Sequence, residues 1–424
     1  MSKQTIFQTI ISDFFTRSLE QVRPRALGIP LNVPKVVSLL GPRRAGKTYV
    51  LFDIINQLRE EVDATRLVYV NFEDDRLFPL TVSDLDDLVT GYFALYPEHK
   101  DQLVWFFLDE VQDVPHWEKF VRRLHDQENC RIYITGSSSK LLSRELATSL
   151  RGRTLPFEIF PLSFTEFLEF NEVSVNPRTS KGQALLLHWM TRYLSQGGFP
   201  ELVQLPVDLH RRTITEYVDL MLYRDLSERF ALKNPSFLKY LLKHLLVNVA
   251  KPVSLNKLYR DLKSQGYSVA KNTIFDYVSY LEEAFAIFQV DMWSTSIRQK
   301  AVNPRKFYTV DPAYKHIMSI SEDRGRLFEN MVFMELRRKG IHPSYWLDGQ
   351  EVDFYWEGGR LINVCYDLSD PDTRNREIKG LAKAMKQTGE PLSLLITWNE
   401  QETISLEEGE IEVQPLWRYL TMNF

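Results

Sequence analysis

The eight residues Gly41-Pro42-Arg43-Arg44-Ala45-Gly46-Lys47-Thr48 constrain this 424-residue chain more than any other feature. They follow the β-branched apolar run VVSLL and precede YVLFDIINQLREE, which has helical periodicity. A glycine-bracketed loop between a strand and a helix, ending in Lys-Thr, is suited to wrap an anion. Glycines let the backbone curl so that consecutive N–H groups face one point. The helix that starts after Gly46 turns its positive dipole end toward the same point. Lys47 places a charge on the β- and γ-phosphates, and the Thr48 hydroxyl ligates Mg²⁺. The spacing therefore predicts a site for ATP and Mg²⁺ made by Gly41, Pro42, Arg43, Arg44, Ala45, Gly46, Lys47, Thr48 and the adjoining Tyr49.

Further apolar runs extend the pattern: LVYVNF (67–72), VWFFLDE (104–110) and RIYITGS (131–137), with helical segments between them. Strands that alternate with helices predict a parallel sheet covered on both faces, here over residues 35–160. Asp109 and Glu110 emerge from the end of the third run. Asp109 is suited to hold Mg²⁺ through water, and Glu110 to take a proton from the attacking water. From the end of the next run, Thr135 and Ser137 either sense the lytic water or γ-phosphate, or cap the following helix, KLLSREL. Asn71 ends another strand and is a candidate to hold Glu110 in an inactive pose. Phosphoryl transfer also calls for arginine, because negative charge spreads over the γ-oxygens. Arg151 and Arg153 in SLRGRT are the candidates, with Arg224 a third, and surface ion pairing is the alternative for each. An arginine acting in trans requires an oligomer.

The remaining chain divides by character. Residues 1–34 read as an amphipathic helix and a proline-punctuated linker, and 161–232 as a helical lid in which SQGGFPE is a turn. Residues 233–310 read as three short helices followed by a hairpin, the winged helix-turn-helix pattern. Ser254 is the expected N-cap of its second helix and Gly266 the residue that closes it. Lys271, Asn272 and Thr273 start the recognition helix, while Lys257, Arg260 and Lys263 are placed to meet phosphates. A lid or protein-contact role is the competing reading of this module. Residues 311–424 read as α+β.

Charge follows this division. Residues 235–310 hold 11 Lys/Arg and 5 Asp/Glu, whereas 346–424 hold 7 and 15, within a chain of net charge −4. A basic middle and an acidic tail point to separate partners. Two cysteines, Cys130 and Cys365, exclude a disulfide framework or cysteine zinc site and fit a reducing compartment. No apolar run reaches the roughly 18 residues that span a bilayer, and the N-terminus lacks a signal peptide's apolar core. The expectation is a soluble cytoplasmic protein with no membrane partner.

GPRRAGKT, FFLDEVQ, ITGSSSKLLSRELATSLRGRT, FPLSFTEFL, GGFPE and LYRDL together resemble the prokaryotic AAA-type ATPases whose C-terminal domain is of unknown function. The resemblance runs from about residue 34 to the end. It implies an AAA+ core, a middle winged helix and a C-terminal fold similar to restriction-endonuclease-like nucleases. It also implies a homo-oligomeric ring, often a hexamer, in which Arg151 or Arg153 completes the neighbour's site. An active nuclease of that kind needs Glu-x-Lys on the strand after Asp353. The chain has Asn363-Val364-Cys365 there, so Glu329 and Asp353 lack a carboxylate partner, and Lys379 is the candidate to replace the lost lysine. A degenerate domain that binds DNA or packs between subunits is the expectation.

The functional expectation is an ATP-hydrolysing AAA+ motor, stimulated by duplex or branched DNA. An ATPase core joined to a winged helix is similar to Holliday-junction branch-migration motors, which suggests junction or fork remodelling in recombination and repair. The alternatives are a slow ATPase switch that controls assembly or partner binding and, less favoured, a DNA nuclease.

Overall fold

The computed structural model describes residues 2–19, 21–25, 27–137, 150, 152–294, 296, 299, 303–318 and 323–422. The chain forms two compact units, Met1–Ile159 and Phe160–Phe424.

In the first unit, β1 (Val36–Leu40), β2 (Leu67–Asn71), β3 (Val104–Asp109), β4 (Cys130–Gly136) and β5 (Thr154–Glu158) form one sheet in the order β2-β3-β4-β1-β5. Every pairing is parallel. β1 and β3 are buried along their whole length, which is why they read as apolar runs, interrupted only by Ser38 and ended by Asp109. β5 goes beyond the four expected strands. It is half exposed and contains Pro156, which an edge strand tolerates because its outward N–H needs no partner.

Helices α1 (Lys3–Phe15), α2 (Lys47–Arg59), α3 (Leu85–Leu95) and α4 (Trp117–Gln127) accompany this sheet. α1 buries Phe7, Ile10, Ile11 and Phe14, spaced to share one helical face, and Ser2 caps it by accepting from Thr5 N–H. Because β4 lies between β1 and β3, the C-terminal ends of these three strands open on one edge. That edge brings the 41–48 loop, Asp109 and Thr135 together.

The second unit starts with helices Phe164–Phe170, Ser180–Gln196, Pro200–Gln204 and Val207–Leu220, the last running into a π-helical stretch Met221–Glu228. Ser163 and Glu166 close a capping box on the first. The Gly-Gly turn has a definite partner. Asp311 accepts from Gly198 N–H at 2.8 Å and from Ala313 N–H at 2.9 Å. Gly197 has φ 82°, and a Cβ there would fall 2.0 Å from Asp311 Oδ1. Glycine is the residue that satisfies both demands.

Residues 235–309 follow the order helix Pro235–Val247, β6 (Pro252–Val253), helix Leu255–Ser264, helix Lys271–Glu283, β7 (Ile287–Val290) and β8 (Arg305–Thr309). The strands pair antiparallel in the order β6-β8-β7. Ser254 accepts from Lys257 N–H at 3.3 Å, and Gly266 turns left-handed at φ 85° just past that helix.

Helices Pro312–Met318 and Arg324–Arg338 lead into β9 (Ser344–Asp348), β10 (Gln350–Tyr355), β11 (Leu361–Val364), β12 (Leu392–Thr397), β13 (Glu402–Leu406) and β14 (Gly409–Pro415). The order is β13-β14-β12-β11-β10-β9, with helix Pro371–Thr388 packed on it and Leu416–Thr421 ending the chain. β13 and β14 were not expected, because ETISL and GEIEVQP alternate polar with apolar residues and neither shows as an apolar run. Among the described residues, no helix is long and apolar enough to cross a membrane.

Candidate functional site

The loop after β1 is shaped by close approach. Leu40 O accepts from Ile159 N–H at 2.6 Å, and a Cβ on Gly41 would lie 2.0 Å from Ile159 O. Glycine at 41 is therefore required by the neighbouring backbone. Arg44 and Gly46 turn left-handed, at φ 65° and 95°, and Gly46 is the N-cap of α2. Lys47 is 4% exposed, and its ammonium donates to the carbonyls of Gly41 and Pro42 at 3.1 and 3.0 Å. The loop thus folds around its own lysine, and these carbonyls satisfy a charge that could not stay buried alone. Arg25, from the linker, donates to Ala45 O at 3.1 Å, and Arg43 pairs with Glu73 at 3.4 Å. Tyr49 stands exposed in the first turn of α2.

Asp109 is the hub. Its Oδ2 accepts from the Thr48 hydroxyl at 2.9 Å and from the Tyr69 hydroxyl at 2.9 Å. Its Oδ1 accepts from the Thr135 hydroxyl at 2.5 Å. Burial, and then the adjacent Glu110 charge, push the Asp109 carboxyl above the usual carboxylate range, while the hydroxyls of Thr135, Thr48 and Tyr69 pull it back. Glu110 has φ 52°, rare outside glycine, and its N–H donates to Thr135 Oγ1 at 2.8 Å. One threonine thus fixes both acids. Ser137 is buried just past β4.

The amide on the Glu110 carboxylate belongs to Gln112, whose Nε2 donates to Oε2 at 2.5 Å. Asn71, the expected holder, accepts instead from Glu73 N–H. Residues 140–146 and Arg151 lie outside the described residues. Arg153 pairs with Asp126 at 3.1 Å, and its carbonyl accepts from Val36 N–H where β1 begins. That is the sheet edge opposite the phosphate loop. Arg224 lies in the π-helical stretch of the second unit.

The donor set fits a magnesium nucleotide. The Thr48 hydroxyl and the Asp109 carboxylate, 2.9 Å apart, are hard oxygen ligands of the kind magnesium takes. Thr48 and Asp109 would hold the ion, which supplies neutralising charge to the phosphate oxygens.

The model of an AAA domain matches residues 33–168, and that of a domain of unknown function (DUF8612) matches 187–324. The uncharacterized protein MJ1544 of Methanocaldococcus jannaschii is 36% identical over 436 residues, spanning 99% of this chain and 96% of that one. The chain belongs to the MJ1544 family. An uncharacterized protein of Haemophilus influenzae is 30% identical over 324 residues, 76% of this chain and 78% of its own. Among solved structures, the Walker-type ATPase PABY2304 of Pyrococcus abyssi is similar with TM-score 0.43 and 15% identity, covering 75% of this chain and 96% of that one. Most of the AAA match falls in the first unit, which has the fold of an AAA-type P-loop ATPase.

The second unit holds a buried ionic cluster. Lys306 of β8 is fully buried, and its ammonium contacts Glu329, Glu351 and Asp353 at 2.9, 2.6 and 2.8 Å. Tyr308 donates to Glu329 at 2.6 Å. Burial opposes the charge on Lys306, but Asp353, Glu329 and Glu351 outweigh it and hold the ammonium well above the ordinary lysine range. Burial, and then Asp353, push the Glu329 carboxyl up. Lys379, the expected cation, is exposed, so the lysine beside Glu329 and Asp353 is Lys306. Asn363 accepts from Asp353 N–H at 3.0 Å and donates to Glu377 at 2.5 Å, so a carboxylate does stand beside the amide. Lys306 went unread because it lies 23 residues from Glu329 and 47 from Asp353, whereas Glu351 and Glu377 stand two residues from Asp353 and Lys379 and went unread because only the fold turns them toward the cluster. Among the described residues, no group of His, Cys, Asp and Glu is arranged to hold a metal ion.

The expected DNA contacts occupy two neighbouring helices. Lys257, Arg260, Lys263, Lys271 and Asn272 are exposed, and Thr273 is half-buried.

Proposed function

We propose that the protein is a magnesium-dependent ATPase that acts on DNA as an oligomer. The observation that carries the hydrolytic reading is the convergence of Thr48 and Thr135 on Asp109 at the mouth of the Gly41–Thr48 loop, with the Glu110 N–H bonded to the same Thr135 hydroxyl. Lys47 exchanges two loop carbonyls for phosphate oxygens, and Glu110 accepts the proton of the attacking water. A partner's phosphate loop is the target proposed for Arg153 and Arg151, because Arg153 stands at the opposite edge of its own sheet.

The DNA reading rests on the 235–309 segment. Its helix, strand and sheet order supports a winged helix. Exposed Lys257, Arg260, Lys263 and Lys271 support phosphate contact. Phosphate release, measured without DNA and with duplex, single-stranded and four-way-junction DNA, tests both parts. The expected result is turnover that Lys47→Ala abolishes and that branched or duplex DNA raises several-fold.

A second reading, a slow nucleotide switch, is favoured by the Gln112 amide on Glu110. Slow basal turnover that no DNA stimulates would select it.

A further inference from the structure

Asp109 takes a third hydroxyl that neither the phosphate loop nor β4 supplies. Tyr69 sits two residues before the end of β2 and is 6% exposed. Its hydroxyl reaches Asp109 Oδ2 at 2.9 Å, the oxygen that Thr48 also contacts. The tyrosine ring is equally engaged. It stacks on Phe14 of α1 with centroids 4.5 Å apart, and Phe52 of α2 lies against it at 5.2 Å. Phe14 is itself buried.

α1 is anchored away from this contact. Gln8 Nε2 donates to Gly91 O in α3 at 3.3 Å, and Lys3 Nζ donates to Leu77 O. Between α1 and the end of β2 lies a cavity of about 290 Å³, lined by Ile10, Phe14, Arg17, Tyr69 and Asn71 among others. α1 thus touches the site through a stacked ring and has space beside it. A rigid aromatic with one polar tip transmits the position of its stack to its hydrogen bond.

We propose that Tyr69 is a positioning residue for Asp109 and makes the seating of α1 part of the magnesium–nucleotide site. This rests on the ATPase reading above. Tyr69 acts through Asp109 and does not touch the nucleotide. It fixes the rotation of the carboxylate so that Oδ2 faces the Thr48 hydroxyl, and α1 fixes Tyr69.

The test is nucleotide binding by the full chain, read with a fluorescent ADP while Mg²⁺ is titrated. Tyr69→Phe keeps the stack and removes the hydroxyl. It should raise the Mg²⁺ concentration for half-maximal binding roughly tenfold, as for loss of one hydrogen bond to a charged group. Binding in EDTA should stay unchanged. Phe14→Leu keeps an apolar side chain, removes the stack and should shift the Mg²⁺ requirement the same way, which serves if Tyr69→Phe misfolds. Hydrogen exchange adds an independent readout: magnesium–nucleotide should protect the amides of residues 3–15 in the wild type and not in Tyr69→Phe. An unchanged or lowered Mg²⁺ requirement in the variants overturns the proposal while the ATPase reading stands. A wild-type chain that binds no magnesium–nucleotide overturns both.

Discussion

Gln112 holds Glu110: the Gln112 amide lies 2.5 Å from Glu110 Oε2, two residues along the chain, within a left-handed turn at Glu110. A carboxylate held by an amide hydrogen bond is turned toward its partner and away from an attacking water. Releasing it should speed proton transfer. Gln112→Ala should therefore raise basal ATP turnover about three- to tenfold, and Glu110→Gln should bind ATP without hydrolysing it. Steady-state phosphate release and nucleotide binding check the pair. Normal hydrolysis by Glu110→Gln would remove Glu110 from the role of base.

Thr135 serves both acids through one hydroxyl, accepting from Glu110 N–H and donating to Asp109. Thr135→Val keeps the shape and deletes both bonds. It leaves a buried N–H and a buried carboxylate oxygen each short of a partner, which costs about 1–3 kcal/mol for such a group. Turnover should fall at least tenfold with ATP affinity little changed. A loss confined to affinity would place Thr135 on the nucleotide rather than on the acids.

The candidate site was legible because its parts are local or terminal. The phosphate loop is contiguous, and Asp109, Glu110 and Thr135 are the polar ends of apolar strands. Tyr69 was hidden because an aromatic inside a buried strand reads as core. Gln112 was hidden because its role depends on the backbone turn at Glu110. In the second unit the longer helices and most strands were legible, but the short helices Pro200–Gln204, Pro312–Met318 and Leu416–Thr421 and the charge balance were not. Lys306 lies 23 residues from Glu329 and 47 from Asp353, and nothing in a strand spelled RKFYT shows that its lysine faces inward.

That lysine yields a stability prediction. Lys306→Met leaves Glu329, Glu351 and Asp353 facing one another without a cation. Breaking a buried ion pair from one side typically costs about 3–5 kcal/mol. Urea unfolding should show a loss of that order. The loss should deepen as pH rises, since a buried carboxyl whose pKa is raised by folding loses stability as it ionises. A pH-independent loss would mean that packing, rather than charge, is what Lys306 supplies.

Asp311 gives the complementary pH signature on the Gly-Gly turn. Burial raises its carboxyl from 3.8 to about 6, against the pull of the Gly198 and Ala313 N–H groups. Below the unfolded value both states are protonated and the contribution of the group is full. Between roughly pH 4 and 6 the unfolded chain ionises first, so stability falls as pH rises through the folded value. A shift of this size corresponds to about 3 kcal/mol at most. Asp311→Asn cannot ionise and should lack this slope, whatever its absolute stability. The difference in unfolding free energy between wild type and Asp311→Asn, followed from pH 4 to 7, should therefore shift against the wild type and level off above pH 6. A difference that stays flat, or shifts the other way, would mean that Asp311 is ionised in the folded turn and held by its two N–H donors.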